Sequence, residues 1–402
     1  MIDFRVARFA RRVSNLCGLA LAFAAALAAP HPAAAQSITN PYLDVHYEHD
    51  SNVFRAQNSQ ANVIAFGDPK MSDTDVKYVV GVDETYMWSQ QKLTATLEGR
   101  RYDFNHYDNL NHDEYLAHVV LNWKTTSLLD GMIDARQEQI MAPFTLGNST
   151  QLTVDVDRKI NATLNLNFNP DWRLETGASV HDLKTPLQNY PDFAEHEVAT
   201  HLGLINRSVA NLNYGIAIDH IDGRYENAPD VGGYSQTGAS LTATYIVSGL
   251  TTFNGAIGYT RRNQTQDTFS GFTGALGYIR QLTAKTSVNI QVLRAVNSYA
   301  AAGASEIDTS ATVGLTWQAT YKIGVAANYG YVRSTFIGQV IPGSEANGRV
   351  DTLPTESLNI SYQPFKKLLL RAYLNKQSRS SNFELANFSD TVIGIDAKVS
   401  WH

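Results

Sequence analysis

Residues Ile160 to Val180 read INATLNLNFN-PD-WRLETGASV. In the first half Ile160, Ala162, Leu164, Leu166 and Phe168 alternate with Asn161, Thr163, Asn165 and Asn167. Pro170-Asp171 breaks the run. In the second half Trp172, Leu174, Ala178 and Val180 alternate with Arg173, Glu175, Gly177 and Ser179, and only Thr176 interrupts the apolar set. A period of two sends the two sets to opposite faces of a β-hairpin. One face meets water; the other is apolar over roughly ten residues per strand, enough to cross a bilayer when tilted. A lone hairpin cannot stand in lipid, because its edges carry unpaired N–H and C=O groups. The unit has to recur until the sheet closes on itself.

It does recur. Short connections fall at residues 89–91, 125–127, 170–171, 206–208, 248–249, 283–285, 321–323 and 364–366. Longer ones lie near Phe104–Glu114, Ile140–Gln151, Leu183–His196, His220–Gly233, Asn263–Thr268, Asn297–Thr309, Phe336–Leu353 and Ser378–Asp390, after a polar stretch from His49 to Asp73. Strict alternation of tight and long connections is the pattern of periplasmic turns and extracellular loops in outer-membrane barrels. The expected fold is all-β: a transmembrane antiparallel up-and-down barrel of about 18 strands, 16–18 allowing for one hairpin. The first strand is expected over Pro41–Glu48 and the last over Thr391–Trp401.

All five Trp, namely Trp88, Trp123, Trp172, Trp317 and Trp401, fall near an expected periplasmic end. An indole has an apolar body and a polar N–H, so a one-sided set suits a girdle at a membrane interface. Outward-facing positions are Tyr115, Ala117, Val119, Leu121 and Trp123, then Leu212, Tyr214, Ile216 and Ile218, then Ile393, Ile395, Ala397 and Val399. Glu84 falls in register with Val80 and Val82, which asks for a bulge or an inverted phase there.

The chain opens with Arg5, Arg8, Arg11 and Arg12, an apolar run from Leu16 to Ala29, and Ala33-Ala34-Ala35. Those are the three regions of a secretory signal peptide, so residues 1–35 are expected to be cleaved and residues 36–402 to form the barrel domain. The sole cysteine, Cys17, lies in the leader. The full chain carries −6, and with four Arg and one Asp in the leader the mature chain stands at −9. No basic footprint for nucleic acid is present.

No G-x-S-x-G, Walker loop, H-E-x-x-H or C-x-x-C occurs, so no catalytic residue, metal or cofactor is expected. His46 and His49 point to opposite faces of one strand, and the Asn109, Asn111, Asp113, Glu114 series lacks the glycine and distal glutamate of a calcium loop. Inward charges carry more information. Glu98 and Arg100, Asp130, Asp134, Arg136 and Glu138, Arg173 and Glu175, Arg371, Asp396 and Lys398 are expected to line the lumen, the one place where a strand inside a membrane tolerates charge. Ala256, Gly258, Thr273 and Ala275 form a small-residue inner wall. Phe336, Ile337, Val340 and Ile341 make the loop over Phe336–Leu353 a candidate restriction with that wall as a surface for it; the alternative is a loop that lies over the rim or contacts a partner.

Tyr47-Glu48-His49-Asp50-Ser51-Asn52-Val53-Phe54-Arg55 resembles the first strand and loop of a family of outer-membrane β-barrel porins that includes the EpsL-type proteins of exopolysaccharide operons. Arg101 to Trp123 (RYDFNHYDNLNHDEYLAHVVLNW) is similar to that family's second hairpin and loop. The resemblance implies a non-enzymatic barrel of the Gram-negative outer membrane, tied to exopolysaccharide export or surface-polysaccharide assembly. It brings polysaccharide and periplasmic export machinery as partners, besides outer-membrane lipid and lipopolysaccharide. The alternative expectation is a general diffusion porin for small solutes.

Overall fold

The computed structural model describes residues 36–142, 144, 152–185, 193–226, 232–264, 268–299, 304–338 and 348–401. The leader and Cys17 lie outside the described residues, as do Val340 and Ile341. Eighteen strands follow in chain order: β1 (Gln36–Asp50), β2 (Asp73–Trp88), β3 (Gln91–Phe104), β4 (His112–Lys124), β5 (Leu129–Met141), β6 (Val154–Leu166), β7 (Trp172–Thr185), β8 (Phe193–Val209) and β9 (Leu212–Tyr225). The second half is β10 (Gly233–Ser248), β11 (Thr251–Gln264), β12 (Thr268–Thr283), β13 (Thr286–Tyr299), β14 (Ala304–Gln318), β15 (Ile323–Ile337), β16 (Val350–Phe365), β17 (Leu368–Ser381) and β18 (Phe388–Ser400). One helix longer than a single turn interrupts them among the described residues, α1 (Ser59–Phe66), and it is too short and too polar at its ends to cross a membrane.

Each strand pairs antiparallel with its neighbours in sequence, and β1 bonds to both β2 and β18. The sheet is closed and has no edge strand. Where β18 ends, at Ser400 opposite Tyr42, β1 continues through Pro41, which lies beyond the last paired row and brings no N–H to Trp401. The Pro41 carbonyl takes the last amide, from Trp401, at 2.9 Å.

Contacts that skip a strand identify the inner face, since only the concave side brings second neighbours together. Arg371 on β17 reaches Asp44 on β1, and Tyr234 on β10 reaches Glu195 on β8. The opposite face is an apolar belt, with Leu241, Ile257 and Phe272 61%, 62% and 70% exposed. Alternation along each strand divides the two faces, and register carries the division around the ring. Trp88 ends β2, Trp123 and Trp317 are penultimate in β4 and β14, Trp172 opens β7, and Trp401 follows β18. All five stand at the end where the tight turns lie.

Glu84 needs neither a bulge nor a change of phase. Its register with Thr39 is regular and it does face outward, two and four residues before the aromatic pair Tyr86 and Trp88. The stretch of β1 before Pro41, read as coil from sequence, supplies the reason: Ser37 and Thr39 donate their hydroxyls to the two Glu84 oxygens. The turn expected at residues 206–208 lies instead at Ala210-Asn211, because the β8–β9 register shifts after Asn206, whose side chain accepts the Ser208 N–H and hydroxyl. Asn211 takes a positive φ of 65° to close it. Several strands also run further toward the long loops than the apolar alternation does: β8 begins at Phe193 and β9 continues to Tyr225.

Charge at a mid-belt outer position should therefore block insertion. Ile257→Arg is expected to cost about 2–4 kcal/mol of folding free energy into a bilayer, whereas Asn165→Arg, on the inner face beside Asp130, costs little. Denaturant titration of the barrel in lipid vesicles measures both; a silent Ile257→Arg with a damaging Asn165→Arg would mean that the faces are inverted.

Candidate functional site: the lumen and its mouth

The inner face is chemically lopsided. From β17 through β1 to β8 it is a lattice of charged and phenolic side chains. Arg371 donates through Nε to both Asp396 oxygens at 2.9 and 3.0 Å and through a terminal nitrogen to Asp44 at 3.3 Å, while His46 lies 3.2 Å from Asp44. The Lys398 ammonium sits over the Tyr42 ring, 3.4 Å from its centroid. Glu98 accepts from Arg100 at 2.5 Å, and Arg100 stands 3.6 Å from Glu114. A second group lies further round: Arg173 bridges Asp130 at 3.1 Å and Glu175 at 3.0 Å, Arg136 pairs Glu138 at 2.7 Å, and His118 pairs Asp134 at 3.1 Å. All eleven charged positions read from the sequence thus occupy one continuous face by register, in two groups rather than one ring.

Sequence reasoning missed the device that ties this wall together. Tyr42 on β1 lies across Gly81 on β2 and donates to Glu98 on β3 at 2.5 Å. Tyr373 on β17 lies across Gly394 on β18 and donates to Glu48 on β1 at 2.6 Å. Tyr234 on β10 lies across Gly223 on β9 and donates to Glu195 and Glu197 on β8 at 2.8 and 2.7 Å. A Cβ on any of these three glycines would fall within 2.1–2.4 Å of the tyrosine ring. The glycine is what lets the ring cross the strand. The readable signal is an aromatic at a polar-face position two strands from a glutamate.

The wall from β9 to β13 is different. Gly238, Ser240, Ala256, Gly258, Thr273 and Ala275 leave a recess of about 540 Å³, which His201 and Asp219 border, their side chains 2.6 Å apart. Leu293 and Val296 close it from the far side.

Those two residues mark the only seam among the described strands that comes apart by several rows. Pairing of β12 with β13 stops at Gly274 opposite Arg294, although both strands continue, β12 back to Thr268 and β13 on to Tyr299. Above that row the β13–β14 hairpin bends into the lumen. Its Ser298 and Ser305, outward by alternation, meet inner-face residues instead: Ser298 bonds Tyr225 at 2.6 Å and Ser305 donates to Gln264 at 2.6 Å. Val296, also outward by alternation, is buried. The hairpin lays its outer side on the inner wall of β9–β11, and so narrows the mouth.

For Phe336 this corrects the expectation of a loop residue on the small-residue wall, while residues 339–347 of that loop lie outside the described residues. Phe336 is a β15 residue on the inner face, buried under the Arg349 guanidinium, and Arg349 forks onto Asp351. Over the recess that Ala256 and Ala275 line, it is the β13–β14 hairpin that crosses, held to Tyr225 and Gln264.

The β1–β2 connection narrows the mouth from the charged side, with a small core of its own. Asn58 caps α1 by accepting from Ala61, Gly67 ends it at φ 77°, and Asn62 returns the chain by donating to the Asp68 and Lys70 carbonyls. Phe54 stacks on Phe66 at 3.8 Å between ring centroids and meets Tyr107 and Phe144 edge-on at 4.8 Å each. Leu110 is wholly buried beside them. The connection is strapped on both sides. Arg55 bridges Asp50 at 2.9 Å and Asp390 at 3.2 Å, Asn52 donates to Ser389, and Asp73 accepts the His106 and Tyr107 amides. The Lys70 amide and His106 hold the exposed Asp68 carboxyl below its ordinary range, so this contact is made at neutral pH and lost as pH falls through that lowered value. His46 faces inward and His49 outward to Thr74; Asn111, in the loop weighed for calcium, accepts the Phe104 amide.

No family model and no curated relative matches the chain. Among solved structures it is similar to Pseudomonas aeruginosa OpdK with vanillate (TM-score 0.49, 12% identity, 90% of this chain and 99% of that one). It is also similar to P. aeruginosa OccK2 (OpdF) in complex with glucuronate (0.46, 10%, 91% and 99%) and to the FrpB iron transporter from Neisseria meningitidis (0.47, 11%, 85% and 62%).

The core under α1 should be separable from the barrel. Leu110→Ala is expected to cost about 2–5 kcal/mol locally. Amide exchange is expected to accelerate over residues 51–72 and 105–111 while strand protection stays unchanged. Uniform loss of protection would show that the mouth and the barrel unfold as one unit.

Proposed function

We propose that the chain is a porin of the outer membrane: a narrow, weakly selective channel for small polar solutes that leans toward cations. The observation that carries this reading is the inner face itself. Carboxylates outnumber Arg and Lys there, and Glu48, Asp157, Glu195, Glu197 and Asp219 make their hydrogen bonds with tyrosine or histidine. A low-dielectric tube lined by one sign of charge raises the local concentration of the opposite ion. At eighteen strands a barrel is wide enough for water unless something fills it. Here the β13–β14 hairpin and the β1–β2 connection take up part of the mouth from opposite sides, and the recess below them suits a solute of a few rings rather than a chain.

The polysaccharide conduit implied by the sequence resemblance is the weaker reading for that reason. A polymer sliding through needs one continuous bore of even width, and the lumen is stepped.

Conductance of the purified protein in planar bilayers tests the proposal. Small, steady cation-leaning conductance is expected, with reversal potentials in a KCl gradient showing potassium favoured over chloride by a few-fold. Removing residues 297–306 should raise conductance several-fold. Absence of conductance in both forms would refute the channel. Topology is checked in cells with a membrane-impermeant maleimide: Cys at Asn58 and Asn109 should label from outside, and Cys at Ser248 should not.

A further inference from the structure

We infer that the outer wall over β13–β15 carries a binding site for the phosphate of an anionic glycolipid in the outer leaflet; this rests on the outer-membrane reading above. Arg294, Thr309 and Arg333 share one register row on the outer face, Arg294 opposite Thr309 and Thr309 opposite Arg333. The two guanidinium groups therefore leave the wall two strands apart, about 10 Å, with a hydroxyl between them.

The row marks the upper border of the apolar belt. Val292 and Ile290 lie below Arg294, Ala311 and Val313 below Thr309, and Tyr331 and Tyr329 below Arg333. Thr309 and Trp317 are eight positions apart on β14. That is about 27 Å along the strand and roughly 20 Å along the barrel axis at the usual tilt, close to the height of an apolar band. With Trp317 at one interface, the arginines stand at the other, where headgroup phosphates lie.

The protein leaves these cations available. Arg333 is exposed and makes no hydrogen bond or ion pair among the described residues. Arg294 is exposed and donates to neutral oxygens, the Phe272 carbonyl at 3.1 Å and the Thr309 hydroxyl at 2.9 Å. The neighbouring carboxylate, Asp308, faces the lumen, where it accepts from Asn297 and Ser334. Planar forks that keep free donors match a phosphate bidentately.

A second feature points to the lipid's other end. Above the Gly274–Arg294 row the β12–β13 pairing ends, so the outer wall is unzipped there, with the exposed Phe272 ring on β12 beside Arg294. An unpaired seam at the headgroup level, edged by an exposed aromatic ring, suits the first part of an acyl chain.

The test is binding of bisphosphorylated lipid A, and of the same lipid with its phosphates removed, to the full barrel in phosphatidylcholine nanodiscs, read by native mass spectrometry. The phosphorylated form is expected to bind at least about tenfold more tightly. The double variant Arg294→Gln/Arg333→Gln should lose that preference. Arg333→Gln alone, which removes no protein contact, should reduce it about threefold. Arg280→Gln, at an exposed outer-face arginine near the opposite interface, should keep it. Equal binding of both lipids, or a preference retained in the double and the single variant, would overturn the site. Conductance of the same preparations separates this from the channel reading: an open channel without phosphate preference removes the lipid site alone, and phosphate preference without conductance removes the channel alone.

Discussion

Everything in this molecule depends on the requirement that each backbone N–H and C=O in the membrane find a partner in the sheet. An open edge in hydrocarbon costs several kcal/mol for every unpaired group. The β1–β18 pairing, from Tyr42 opposite Ser400 to Asp50 opposite Val392, removes that cost for the whole ring at once. Closure then decides the chemistry of the side chains. One face of every strand is committed to lipid, and whatever is polar must turn inward. The inner charges are a consequence of closure as much as a cause of function.

How those inward groups are arranged is a separate matter. On the charged side the carboxylates are held by phenols that cross a glycine strand and by guanidinium forks, so that each neutral-to-charged hydrogen bond is worth about 1.5–3 kcal/mol. Long side chains fixed at both ends make a stiff wall. On the β9–β13 side the residues are Gly, Ala, Ser and Thr, which reach nothing across the lumen. Space is left there, and a segment of the chain itself occupies part of it. A wall of large paired groups facing a wall of small ones produces the stepped bore; neither wall would do so alone.

The sequence carried the parts of this that obey a short period. Alternation around Leu164 and Asn165 is local and dense, so faces, turns and the Trp ring were readable without long-range information. Glu84 looked wrong only because its partners, Ser37 and Thr39, lie in polar residues whose strand character comes from pairing with β2 rather than from alternation. The same holds for the upper parts of β8 and β9, polar on both faces yet extended because their hairpin register continues. α1 was hidden for another reason. It has no apolar stripe, and its stability comes from Phe54, Tyr107 and Phe144, which three different connections bring together. The inward hairpin left no local mark, and apolar content drew attention instead to Phe336, which is a strand residue under Arg349.

The two elements that narrow the mouth are anchored very differently, and this bears on which of them can move. The β1–β2 connection has an aromatic core, a capped helix, an arginine between two aspartates, a backbone bond to β18 and the Tyr107 hydroxyl on its Lys70 carbonyl. Displacing it means exposing Leu110 and Phe54 and breaking charged pairs together. The described contacts of the β13–β14 hairpin with the opposite wall are two hydroxyl hydrogen bonds and the side chain of Val296. Hydroxyl bonds of this kind are worth about 1 kcal/mol each against water, which is present in the lumen to replace them. Its hinge is already built, at the Gly274–Arg294 row where the seam ends. Local openings are drawn from the least stable parts of a structure. The width of the bore on the β9–β13 side therefore depends on a segment whose described contacts are hydroxyl hydrogen bonds, and on the charged side on a segment held by a core and by ion pairs.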